Sequence, residues 1–227
     1  MSVITVERKV LEKNDIVAEE NRKAFKEKKT FTLNLVSSPG SGKTSLIERT
    51  ALLSKERFSL GVIEGDVQTN LDAQRVDEYG VPVVQIITNG SCHLDAPLVR
   101  NAYNQFEEKD FDILFIENVG NLVCPAAYDL GEDQKVVIVS TTEGDDKPLK
   151  YPAMFRNASV LIINKTDLVP YVNCSLETLR NNALSINPEL KVFETSCTTD
   201  KGIDEWCNWL ESQIKNARPG AAQRRRE

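Results

Sequence analysis

The chain has 227 residues, 41% of them hydrophobic and 27% charged, with a net charge of -6. That length can bury one substantial core, no uncharged stretch approaches the roughly 20 residues needed to cross a bilayer, and the acidic balance gives no footprint for nucleic acid. Five cysteines at irregular spacing argue against a disulfide framework, and the charge-interrupted start "MSVITVERKVLEKND" has no signal-peptide core, so a cytoplasmic protein with reduced thiols is expected.

Residues 1–29 read as a helical extension, with Ile16, Val17, Asn21, Ala24 and Phe25 at helix spacing. The segment 30–217 then alternates short apolar runs with amphipathic stretches. Seven candidate strands are "TFTLNLV", "SLGVIEG", "VPVVQIIT", "FDILFIE", "QKVVIVS", "ASVLIIN" and "LKVFET". Several are continuously hydrophobic, as expected of strands covered on both faces, so the fold class is α/β: a mainly parallel seven-stranded sheet with helices on each side. Periodicity does not give the strand order. Residues 218–227 form a basic tail with Arg218, Arg224, Arg225 and Arg226, expected to be solvated and disordered.

The first strand runs into "SSPGSGKTS", residues 37–45, and then into a helix. This is G-x-x-x-x-G-K-[ST] with Ser37 in the first glycine's place, which makes the chain a candidate P-loop NTPase. Pro39, Gly40, Ser41, Gly42 and Ser45 complete a loop whose N–H groups can cradle a polyphosphate. Lys43 can reach the β/γ oxygens and Thr44 can hold Mg²⁺. The second strand ends at Asp66 and the fourth at Glu117, followed by Gly120, placing acids at the carboxyl edge of the sheet where open α/β folds bind ligands. Lys43, Asp66 and Glu117 are the catalytic candidates, with Thr44, Asp66 and Glu117 as the Mg²⁺ set. After the sixth strand, Asn164, Lys165 and Asp167 match the guanine-recognition motif: a carboxylate accepts from guanine N1–H and its amine, which adenine does not offer, so GTP is the expected nucleotide. Ser196 in "ETSC" is either a further nucleotide contact or a turn residue.

"NGSCHLDA", residues 89–96, holds the only histidine, His93, beside Cys92, just before a helix announced by Asp95 and Pro97. A helix N-terminus lowers a thiol pKa and favours a thiolate ligand. A buried cysteine with an exposed histidine is the alternative reading. Cys124, four residues beyond Gly120, is a third donor within about 14 Å of that glycine, which stands where P-loop GTPases carry a γ-phosphate sensor. Three ligands leave a coordination sphere incomplete, so two subunits meeting face to face could share Ni²⁺ or Zn²⁺. Cys207, between Trp206 and Trp209, reads as core.

Taken together, "NLVSSPGSGKTSL", "EGDVQTNLDAQR", "CHLDA", "FIENVGNLVCP", "EGDDKPLKYP" and "INKTDL" resemble the HypB family, nickel-insertion GTPases of [NiFe]-hydrogenase maturation, from about Thr30 to about Leu210. The resemblance implies a SIMIBI-class P-loop GTPase that forms a homodimer with GTP and holds metal at Cys92, His93 and Cys124. It further implies that Lys150 reaches the partner subunit's nucleotide, and that the partners are a hydrogenase large-subunit precursor and a second nickel accessory protein. Residues 1–36 lack the cysteine- or histidine-rich nickel stretch of many members, so metal handling is expected to be transient and confined to the GTPase domain. Three other readings stand beside this one: a urease-type nickel GTPase, which fits "CHLDA" and "EGDDKPLKYP" less well; a GTP-dependent interaction switch without metal cargo; and a small-molecule kinase, disfavoured by the guanine motif.

Overall fold

The computed structural model describes residues 6–106 and 109–217. The expected basic tail lies outside them. Seven strands, β1 (Phe31–Ser37), β2 (Leu60–Asp66), β3 (Val83–Ile87), β4 (Ile113–Glu117), β5 (Gln134–Ser140), β6 (Val160–Asn164) and β7 (Lys191–Glu194), form one sheet in the order β3-β2-β4-β1-β5-β6-β7. Every neighbouring pair is parallel. All residues of β1, β4 and β6 are buried; β4 and β6 are accordingly apolar up to their last residue, while β1 also buries Thr32 and Asn34.

Alternation along each strand feeds two faces. Leu33, Leu35, Phe115, Ile138 and Ile162 join one apolar cluster together with Trp206 of α8 (Ile203–Ala217). The Trp206 Nε1–H donates to the Thr50 hydroxyl in α2 (Lys43–Ser54) at 3.0 Å, satisfying the buried indole. Val36, Val137, Val139, Leu161 and Ile163 face the other way, against α6 (Pro152–Arg156) and α7 (Leu176–Ile186). Leu114 and Ile116 pack on that second face nearer β3, with Val99 of α4 (Ala96–Asn104). Two shorter helices complete the described elements used below: α3 (Leu71–Asp77) and α5 (Lys147–Lys150).

The N-terminal helix α1 (Val6–Glu27) lies against α4, its Phe25 edge-on to Tyr103 with ring centroids 4.8 Å apart. Its inward residues differ from the expected apolar stripe. Ile16 is 65% exposed, whereas Asn14, Ala18, Asn21 and Phe25 are buried. The two asparagines go inward because backbone groups wait for them there. Asn14 accepts from the Ala96 N–H at 2.8 Å and donates to the Asp129 carbonyl at 2.8 Å. Asn21 donates to the carbonyls of Ala96 and Leu130 at 2.9 and 3.0 Å. Helix spacing at 14, 18, 21 and 25 is kept; the chemistry on it is polar.

The register of β1 places Leu35 opposite both Glu117 and Val136. The carboxyl ends of β1, β4 and β2 therefore come level, and their loops share one edge of the sheet.

Candidate nucleotide and metal site

The loop from Ser37 to Gly42 turns the end of β1 into α2. Gly40 and Gly42 take positive φ values of 74° and 94°, the region glycine enters without a Cβ penalty. Ser37, standing where the motif has glycine, holds the catalytic candidate: Lys43 Nζ donates to its Oγ at 3.0 Å. The guanine-motif residues brace the same loop from behind. Asn164 Nδ2 donates to the Ser41 carbonyl at 2.9 Å, and Lys165 Nζ to the Gly40 carbonyl at 2.7 Å. Asp167 accepts from the Ser196 hydroxyl at 2.6 Å, so Ser196 orients the carboxylate assigned to the base. Ser41 donates in turn to Glu143 at 2.8 Å.

A cavity of about 540 Å³ opens over this loop, bounded by Gly40, Lys43, Thr44, Asp66, Glu117 and Gly120. It is also lined by Glu64, Asp72, Arg75 and Asn118, which were not among the sequence candidates. One signal for Glu64 was present, a charged residue inside the apolar strand "LGVIEGD". Lys150 and Asp167 do not line the cavity. Lys150 stands apart on α5, its side chain 61% exposed and paired at 2.7 Å with Asp146, the residue just before that helix.

The carboxylates in this cavity are arranged for a cation. Thr44 donates to Glu117 Oε1 at 2.8 Å, but Glu117 Oε2 and Glu64 Oε2 are buried without a hydrogen-bond partner. Ligand oxygens of Glu64, Asp66 and Asp72 lie within 4.8 Å of one another. Burial pushes the Glu64 carboxyl up to about 8, helped by the charge of Glu117. Burial also lifts Glu117 to about 7, against the pull of Lys43. Asp66 goes the other way: burial would raise it, yet hydrogen bonds from the backbone of Gln68 and Thr69 hold it below the usual range. Orphaned acidic oxygens beside a P-loop hydroxyl fit Mg²⁺, whose ligands are hard oxygens.

Ligand atoms of Cys92, His93 and Cys124 also lie within 4.8 Å of one another, so residues 32 apart in sequence converge. Thiolates and imidazole form a soft donor set that suits Ni²⁺ or Zn²⁺ rather than Mg²⁺. The burial pattern reverses the packing alternative: Cys92 is exposed and His93 is half-buried, its ring against that of Tyr128 with centroids 4.0 Å apart. Asp95 caps α4 as expected, accepting from the Leu98 N–H at 2.9 Å. The expected lowering of the Cys92 thiol does not hold. Its pKa is raised, first by the hydrogen bond it shares with Cys124 and then by burial, because two sulfurs side by side disfavour two charges. A bound divalent cation reverses that preference by supplying the missing positive charge. Burial lowers the His93 pKa, which keeps the imidazole in its neutral, metal-binding form. Cys207 is fully buried, as expected of core.

The two sites share one loop. Gly120 follows Glu117 by three residues and precedes Cys124 by four, and a Cβ on Gly120 would stand 3.0 Å from backbone and ring atoms of Pro39. The segment that leads to Cys124 therefore starts against the phosphate loop, at Gly120.

Residues 31–194 match the CobW/HypB/UreG nucleotide-binding domain. The chain is similar to the hydrogenase maturation factor HypB of Escherichia coli K12, with 50% identity over 211 residues covering 93% of this chain and 73% of that protein. Among solved structures, HypB of Helicobacter pylori in complex with nickel superposes with a TM-score of 0.86 at 39% identity, covering 90% of this chain and 96% of that one. HypB of Archaeoglobus fulgidus gives 0.84 at 41% identity, covering 90% and 100% respectively.

Proposed function

The chain belongs to the HypB hydrogenase maturation factors of the CobW/HypB/UreG family, and from that membership we propose that it is a GTP-hydrolysing nickel chaperone for [NiFe]-hydrogenase maturation. The observation that carries the reading is the convergence of Cys92, His93 and Cys124 within 4.8 Å, Cys124 standing on the segment whose Gly120 abuts the phosphate loop. Nickel is the cargo, held by these three groups and released to a hydrogenase large-subunit precursor with the help of a second nickel accessory protein, in the cytoplasm. Zn²⁺ satisfies the same donors and competes for them.

At the phosphate end, the backbone of residues 39–45 and Lys43 bind the triphosphate of GTP. Mg²⁺, when bound, neutralises phosphate charge; Thr44, Asp66 and Glu117 are the residues that would hold it. Asp66, kept ionised by its backbone hydrogen bonds, orients the attacking water. Asp167, fixed by Ser196, selects guanine. A change at the γ-phosphate is felt at Gly120, and the Cys124 segment four residues on shifts with it.

Three donors leave Ni²⁺ short of ligands, so the chain dimerises with GTP and pairs two donor sets across the interface. Lys150, exposed and paired with Asp146, reaches the partner's nucleotide. The test measures bound nickel by equilibrium dialysis, and mass by light scattering, with GDP and with a non-hydrolysable GTP analogue. Nickel-binding dimers are expected with the analogue, and Cys92→Ala or Cys124→Ala should abolish the nickel. Nickel retained by both variants would refute the cargo site and leave a nucleotide-dependent interaction switch.

A further inference from the structure

Beneath the donor set, one buried polar chain ties both ligand-bearing segments to the residue after Glu117. Asn118 is 1% exposed. Its Oδ1 accepts from the Leu94 N–H at 3.0 Å and from its neighbour Val119 N–H at 3.0 Å. Its Nδ2 donates to Asn34 Oδ1 at 3.2 Å. From there the chain continues without a gap: Asn34 donates to Glu132 Oε1 at 3.1 Å, and Glu132 Oε2 accepts from the Leu130 N–H at 2.6 Å. Lys135 Nζ, 3.8 Å from Glu132, donates to the carbonyls of Pro125 and Tyr128 at 3.1 and 3.0 Å. Leu94 follows His93 in the chain, Pro125 follows Cys124, and the Tyr128 ring lies on His93.

Position along this chain gives Asn118 a role its burial alone would not. Its amide orientation is fixed, since only the oxygen can face two N–H groups. One atom therefore holds the backbone beside a metal ligand and the backbone leading to Gly120. Anchored by its own N–H to the Leu35 carbonyl at 3.0 Å, the residue has little freedom to follow one loop without the other. A buried network in low dielectric resists the loss of any single link. A movement of residues 117–120 with nucleotide state must then carry Leu94 with it or break a buried hydrogen bond.

We propose that Asn118 is a positioning residue that couples nucleotide state to nickel affinity, by pinning the Leu94 and Val119 amides to one side-chain oxygen. The proposal rests on the nickel reading above. Its test is the ratio of nickel affinities, by chelator competition, in the GDP and GTP-analogue states of the protein. In the unsubstituted protein the ratio should be about tenfold, within the usual range of allosteric coupling. Asn118→Leu and the smaller Asn118→Ala remove the shared acceptor and should bring the ratio within about twofold of one. Asn118→Asp should keep it, because a protonated carboxyl accepts both N–H bonds through one oxygen and donates to Asn34 through the other.

A folded Asn118→Leu or Asn118→Ala protein with the original ratio overturns the proposal. So does equal loss in Asn118→Asp and Asn118→Leu, which would mark a merely structural residue. A measurement on the unsubstituted protein needs no variant to fold: the amide resonances of Leu94 and Val119 should both shift when analogue replaces GDP, and a Leu94 resonance that stays while Val119 moves refutes the link. Nickel binding that persists without Cys92 and Cys124 defeats the cargo reading and this proposal together. Nickel held at those residues but indifferent to nucleotide defeats the coupling alone.

Discussion

Asn21→Ala should destabilise the folded chain by about 2–4 kcal/mol, although the residue lies outside both ligand sites. Its side chain is fully buried, and its Nδ2 reaches the carbonyls of Ala96 and Leu130 at 2.9 and 3.0 Å. Two net hydrogen bonds at about 1 kcal/mol each set the lower figure, where removing the partnerless Asn21 Oδ1 offsets the stranding of its carbonyl partners, and incomplete offset adds about 1–2 kcal/mol more. At roughly 2–4 °C per kcal/mol for a chain of this size, the melting temperature should fall by about 4–16 °C. Arg22→Ala, one residue on, is the control. Its ion pair with Asp129 is 2.7 Å long but joins side chains that are 31% and 42% exposed, so its loss should cost no more than about 1 kcal/mol. Urea denaturation of the two variants, compared at equal slope, reads the difference. An Asn21→Ala cost below about 0.5 kcal/mol, or one smaller than that of Arg22→Ala, would refute the view that α1 is stitched to the domain through buried amides.

The remaining predictions concern the sites. With pKa values of about 8 for Glu64 and about 7 for Glu117, both raised from 4.5, their protonated forms suit the folded state. Their contribution to stability is whole below about pH 4.5 and is lost as the pH rises through 7 to 8. Mg²⁺ binding should accordingly release about one proton or more at about pH 6.5 and almost none at about pH 9, read by calorimetry in buffers of different ionisation enthalpy; a proton count independent of pH would exclude Glu117 as a ligand and Glu64 as a carboxyl beside the ion. Gly42→Ala should weaken GDP binding by about a hundredfold, because φ is 94° and a Cβ there would lie 2.5 Å from Asn164 Nδ2, combining backbone strain with a clash. Titration with a fluorescent GDP analogue reads this, and unchanged affinity would contradict the bracing role of Asn164. Gly65→Ala should cost about 1–3 kcal/mol by overpacking, since its Cβ would stand 2.8 Å from Leu94 side-chain carbons. Adding Leu94→Ala in that background should cost less than Leu94→Ala alone, and strict additivity in the four-variant cycle would disprove the contact.

The seven strands, the phosphate loop, the capped start of α4 and the family were legible in the sequence, because each is written in neighbouring residues. A buried parallel strand needs a run of apolar side chains, and a phosphate cradle needs glycines and a lysine in series. The tertiary structure alone decided what lies beside what. In the order β3-β2-β4-β1, the loops after β3 and β4 are separated by β2, so the loop carrying Cys92 and His93 must cross the end of β2 to meet Cys124. Gly65 leaves the room for that crossing, with Leu94 seated over it. Asn21 already stood on the inward helix spacing, but Asn14 and Asn118 were opaque for the same reason: an asparagine reads as a surface or turn residue until the fold brings it a backbone group to bond. The raised Cys92 and Glu64 pKa values likewise depend on groups distant in sequence, Cys124 and Glu117. Spacing along a chain fixes which face a side chain takes; only packing fixes what faces it.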